Sequence, residues 1–163
     1  MLKVELKEFN SVIGMIEGLY HEAAVKLGLP DSEFDILYMI YNQGSGCKQS
    51  TICRMTGLTR STLNSALQRM EKSGLLYLKQ GQGRNTLIYM TDKGNELMHK
   101  TIERVVAVEN KIYLSWSREE QELFVSLNRK FADSFKEELK NLYKKAVTVK
   151  SYRFFILYII RCR

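Results

Sequence analysis

The stretch TGLTRSTLNSALQRMEKSG, residues 56–74, decides how this chain folds. Leu63, Ala66, Leu67 and Met70 recur at steps of three and four, the spacing of one helix face. Thr59 precedes the first turn, where its hydroxyl can accept a free backbone amide. Gly74 follows the last turn, at a position that tolerates positive φ. The outward positions are Arg60, Ser61, Thr62, Asn64, Ser65, Gln68 and Arg69. All are hydrogen-bonding or cationic, and the first acid is Glu71. An ordinary solvated helix mixes Glu with Lys, so this face is unusual. Arg, Asn and Gln suit the donor and acceptor pattern of base edges in the DNA major groove.

Upstream, residues 48–55 fit a short helix closed by Gly57, and Thr56-Gly57-Leu58 makes the tight turn of a helix pair. Downstream, two β-rich runs, Leu76-Tyr77-Leu78 and Thr86-Leu87-Ile88-Tyr89-Met90, flank Gly81-Gln82-Gly83, which predicts a hairpin. A helix pair followed by a hairpin is a winged helix-turn-helix. Its second helix enters the major groove with its N-terminal residues at base edges, and Arg84 sits on the wing.

The flanks are periodic. A helix is predicted over 4–27, with Phe9, Val12, Ile13, Ile16, Tyr20, Ala23 and Leu27 on one face and Gly28 as its stop. Pro30-Asp31 opens a second helix with an apolar stripe of Phe34, Leu37, Tyr38 and Tyr41. Thr91 caps a long helix to about residue 113, with Leu97, Thr101, Val105, Val108 and Ile112 on one face. Ser117 and Glu120 form a capping box. The last helix runs to about residue 146, with Phe124, Leu127, Phe131, Phe135, Leu139 and Leu142 inside.

Charge follows the same division. Residues 1–46 hold three basic and seven acidic residues, whereas residues 47–94 hold eight basic and two acidic. A basic block beside an acidic one is the footprint of a polyanion-binding segment. Several classes are excluded. The 163 residues include 45% hydrophobic and 10% aromatic residues, too many for a disordered chain. Three cysteines cannot form a disulfide framework. No nucleophile elbow or phosphate-binding glycine loop accompanies the Ser, His and Asp residues, so no catalytic residue is assigned and an enzyme is not expected. Cys47 and Cys53 lie apart from the isolated His21 and His99, without the ligand spacing of a metal site, and no cofactor is expected. The N-terminus lacks a basic-then-apolar leader, and the apolar run Phe154 to Ile160 is too short for a membrane span. A cytoplasmic protein with no membrane partner is therefore expected.

Leu58-Thr59-Arg60-Ser61-Thr62-Leu63, then Met70-Glu71-Lys72-Ser73-Gly74-Leu75-Leu76, Arg84 and Met90-Thr91-Asp92-Lys93-Gly94 follow one another in an order that resembles the MarR family of bacterial transcription regulators. The resemblance covers residues 1 to about 145. It implies a homodimer built from the first and last helices, a pseudo-palindromic double-stranded DNA operator, and often relief by a small-molecule effector. Family wings often carry an acid near the wing arginine; Gln82-Gly83-Arg84 has none.

The expected fold is thus mainly α with a small β-hairpin wing. Residues 1–146 would form a single domain, with the winged helix-turn-helix at about 31–94 and dimerisation helices at about 4–27 and 95–146. An apolar and basic tail, 147–163, has no assigned role. The expected DNA face is Arg60, Ser61, Thr62, Asn64, Ser65, Gln68, Arg69 and Arg84. Tyr20, Tyr38 and Tyr41 are candidates to line an effector pocket, with core aromatics as the plainer alternative. Two other functions stay open. One is a winged-helix protein-interaction module without DNA binding. The other is a regulator that responds to oxidation of Cys47, whose place beside a helix start would lower its pKa. Cys53 reads as a small buried filler.

Overall fold

A computed structural model describes the backbone of residues 3–148 and the side chains of residues 3–143. In chain order its elements are α1 (Val4–Lys26), α2 (Asp31–Gln43), β1 (Cys47–Lys48), α3 (Gln49–Thr56), α4 (Arg60–Lys72), β2 (Leu76–Gln80), β3 (Thr86–Met90), α5 (Asp92–Lys100), α6 (Ile102–Leu114) and α7 (Arg118–Thr148). The fold is mainly helical, with a three-stranded antiparallel sheet in the order β1-β3-β2, as the winged-helix reading expects. Most of the apolar and basic tail, together with Cys162, lies outside the described residues.

The chain divides into two compact units, the first through Asn110 and the second from Lys111. The core of the first is built on the inner face of α4. Leu63, Ala66, Leu67 and Met70 are all buried, together with Phe34, Ile36, Leu37 and Ile40 of α2, Ile52 of α3 and Leu76 and Ile88 of the sheet. Local signals set the ends of α4. Thr59 Oγ1 accepts from Thr62 N at 3.1 Å. At the other end Gly74 N donates to Glu71 O and Leu75 N to Met70 O, with Gly74 at φ 71, the paired bonds of a Schellman stop. The α3–α4 turn is held by Thr56, whose hydroxyl donates to Ile52 O and accepts from Leu58 N.

In the second unit Ser117 and Glu120 cap α7 reciprocally. Ser117 N donates to Glu120 Oε2 at 2.7 Å, and Glu120 N donates to Ser117 Oγ at 3.2 Å. Tyr113, Trp116 and Phe124 pack as an aromatic chain with centroids 5.8 and 5.2 Å apart. The Gln121 amide closes the turn by donating to the carbonyls of Tyr113 and Trp116.

Four expectations are corrected. The long helix from Thr91 breaks at Thr101, whose backbone sits at φ −123 and ψ −78. The Thr101 hydroxyl donates to Leu97 O at 2.6 Å, and such back-bonding competes with the helical ladder. Thr101 then accepts from the amides of Arg104 and Val105 and so starts α6. Second, Lys48 joins Cys47 in a strand instead of opening a helix. Cys47 pairs with Ile88 and Lys48 with Leu87, so the wing carries a third strand. Third, Tyr41 leaves the inner stripe of α2 and is 39% exposed; Ile36 and Ile40 are inside instead. Fourth, Cys47 is half-buried and burial pushes its thiol up, opposite to the lowered pKa expected of it. Cys53 packs against the core and donates to Leu58 O at 3.5 Å.

Candidate nucleic-acid interface

Because α4 turns its four apolar side chains inward, the remaining ones project to solvent. Arg60, Ser61, Thr62, Asn64, Ser65, Gln68 and Arg69 are all exposed. They differ in what already holds them. Thr62 Oγ1 lies 2.8 Å and Ser61 Oγ 3.1 Å from the capping hydroxyl of Thr59. Gln49, at the start of α3, donates its side-chain amide to Asn64 Oδ1. Arg69 donates to Glu33 Oε1 at 3.1 Å and to Ser32 Oγ at 3.4 Å, at the first turn of α2. That ion pair is half exposed on its arginine side and contributes at most about 1 kcal/mol. Arg60, Ser65, Gln68 and Arg84 have no side-chain hydrogen bond or ion pair among the described residues.

Glu71 is the first acid of the helix. Its carboxylate accepts from Leu78 N at 3.1 Å and so ties the end of α4 to the wing. At the wing tip Gly81 N donates to Asn85 O at 2.8 Å, Gly83 takes φ 63, and Arg84 is exposed between them.

The three tyrosines separate. Tyr20 of α1 and Tyr38 of α2 have ring centroids 6.2 Å apart, edge to face, and Phe34 stacks on Tyr38 at 6.2 Å. Both hydroxyls donate to one carboxylate, that of Glu109 on α6: Tyr20 to Oε1 and Tyr38 to Oε2, the latter at 2.6 Å. Burial, reinforced by the Glu109 carboxylate, pushes the Tyr20 hydroxyl up to about 12 and raises that of Tyr38. No aromatic contact joins Tyr41 to this group among the described residues.

Residues 27–84 match the family model described as MarR family. The segment covers α2, the helix pair α3 and α4, and the first strand of the wing, and it ends before β3. Over this segment the chain is similar to the MarR family. The chain is 33% identical over 100 residues to the HTH-type transcriptional regulator PecS of Dickeya dadantii (strain 3937), a match covering 59% of this chain and 60% of PecS. It therefore spans about three-fifths of the length of that curated relative. Among solved structures, NMB1585, a MarR family regulator from Neisseria meningitidis, superposes with a TM-score of 0.73 at 18% identity, covering 85% of this chain and 99% of that one. PcaV from Streptomyces coelicolor, solved with its natural ligand, gives 0.58 at 22% identity, over 82% and 98%. These two likenesses concern the shared MarR fold.

Sequence reasoning missed Gln49, Glu33 and Glu109, the partners of Asn64, Arg69 and the tyrosines. Glu109 alone left a signal: it lies four residues after Val105 and three before Ile112, an acid set into an apolar helix face. Among the described residues no group of His, Cys, Asp and Glu could hold a metal ion, and no helix is long and apolar enough to cross a membrane.

Proposed function

We propose that this chain is a sequence-specific, DNA-binding transcriptional regulator that acts as a homodimer and is relieved by a small-molecule effector. The observation that carries the reading is the outer face of α4. It runs from Arg60 to Arg69 without an acid, over an inner face that is wholly buried. Arg60, Ser61, Thr62, Asn64 and Ser65 occupy the first turns, the part of a recognition helix that reaches base edges. Gln68 lies further along the same face. Arg84 at the wing tip suits a phosphate or the minor groove. Arg69 is the weakest member, because contact with DNA competes with its bond to Glu33.

Base contacts specify, whereas phosphate contacts position. Asn64→Ala is expected to cost about 1–3 kcal/mol on a duplex selected from a random pool and little on a scrambled one. Arg84→Ala is expected to weaken both equally and to lower the salt slope by about one. Both variants are measured on both duplexes over a salt series. Equal loss from Asn64→Ala on the two duplexes would remove base reading from this face. Unchanged binding in both variants, or binding indifferent to salt, would favour a protein-interaction module instead.

Dimerisation is supported by apolar surface that each end of the chain leaves uncovered. Val12, Ile13 and Ile16 of α1 are exposed, as are Phe124, Leu127, Phe131, Phe135 and Leu142 of α7. A two-fold dimer would set its recognition helices about 34 Å apart, one turn of DNA. Light scattering at micromolar concentration is expected to give twice the chain mass of 19.0 kDa. A monomer would overturn the two-fold arrangement.

A further inference from the structure

The Glu109 carboxylate has two tyrosine hydroxyls and no cation. None of the ion pairs among the described residues includes it. It is half-buried, against Tyr20 and Tyr38 and close to the Phe34 ring that packs on both. Tyr20 remains 37% exposed, so the cluster is reached from solvent. We propose that Tyr20, Tyr38 and Glu109 form a binding site for an organic ammonium ion with an apolar body.

The chemistry of the cluster selects that class. Aromatic faces attract cations through the ring quadrupole, most strongly for ammonium groups stripped of water. Glu109 supplies the full countercharge, and each of its oxygens keeps a lone pair after accepting one tyrosine hydrogen bond. An aromatic carboxylate would meet the opposite conditions. Both tyrosine protons are already committed to Glu109, and a second negative charge beside the first would have no partner. A hard metal ion is also ill served, since calcium takes six or more oxygens and this site offers one carboxylate. The site links α1, α2 and α6, so a cation there would act on the segment that carries the recognition helix. That consequence rests on the DNA-binding reading, whereas the binding itself does not.

The test is calorimetric titration of the full chain, without DNA, with benzyltrimethylammonium and separately with benzoate. The cation is expected to saturate one site per chain, at least about tenfold more tightly than benzoate. Glu109→Gln, which keeps a hydrogen-bond acceptor and removes the charge, is expected to weaken the cation by about tenfold. If that variant fails to fold by circular dichroism, Tyr20→Leu, which removes an aromatic face, makes the same test. No heat with the cation, preference for benzoate, or unchanged affinity in the folded variant would overturn the proposal. The selected duplex is then titrated with and without saturating benzyltrimethylammonium. Weaker DNA binding supports an effector role, and unchanged DNA binding rejects it. A protein that binds no duplex at all overturns the regulatory reading, while the calorimetry still decides the cation site.

Discussion

Gly94→Ala is expected to destabilise the chain by about 3 kcal/mol, a fall in Tm on the order of 10 °C at this chain length. Gly94 lies in the first turn of α5, where its amide donates to Thr91 Oγ1 at 3.1 Å. A Cβ there would stand 1.9 Å from Leu75 O, 2.6 Å from Met90 Cε and 2.9 Å from Leu75 C. The methionine methyl could swing aside. The carbonyl of Leu75 could not, because it accepts from both the amide and the hydroxyl of Thr91. The glycine is therefore required for space, and its φ is not among the positive values of the chain. Urea unfolding followed by circular dichroism measures the loss. A change below about 0.5 kcal/mol, the range of ordinary surface substitutions, would show that α5 does not approach the start of the wing this closely.

Leu63→Ala is expected to cost about 2–5 kcal/mol, the usual range for emptying a buried leucine site. Leu63 is 1% exposed and lies directly beneath the first turns of α4. Ser65→Ala, two residues on and facing solvent, is expected to stay within about 0.5 kcal/mol. The pair separates the two faces of one helix. On the proposed DNA-binding function, Leu63→Ala should lose duplex binding only in proportion to the fraction unfolded, and recover it at temperatures where the variant is folded. Similar unfolding midpoints for the two variants would contradict the assignment of inner and outer faces.

Much of this molecule is written in short-range pattern. The inner face of α4, its Thr59 cap, its Gly74 stop and the Ser117–Glu120 box all depend on residues within seven positions of one another. Helical period and capping act over that distance, so they can be read from the chain directly. The outward set from Arg60 to Arg69 was legible for the same reason. Once the apolar side chains are assigned inward, the others have only one direction left.

The misreadings share the opposite cause. Tyr41 fits the period of α2 as well as Ile40 does, and only the position of the neighbouring helices decides which is covered. At Thr101 the buried hydroxyl bonds back to Leu97 O where the long helix breaks, a competition that the apolar period does not encode. Cys47 and Lys48 carry too little local preference to choose between helix and strand; pairing with Ile88 and Leu87, about forty residues on, chooses for them. Gln49 reaches Asn64 across 15 positions, Arg69 reaches Glu33 across 36, and Tyr20 and Tyr38 reach Glu109 across 89 and 71. Period, caps and charge distribution thus determined a winged helix with a basic outer face. Which polar groups on that face are already engaged, and that two tyrosines share one unneutralised carboxylate, was decided by tertiary structure, because side chains meet at distances that no local periodicity encodes.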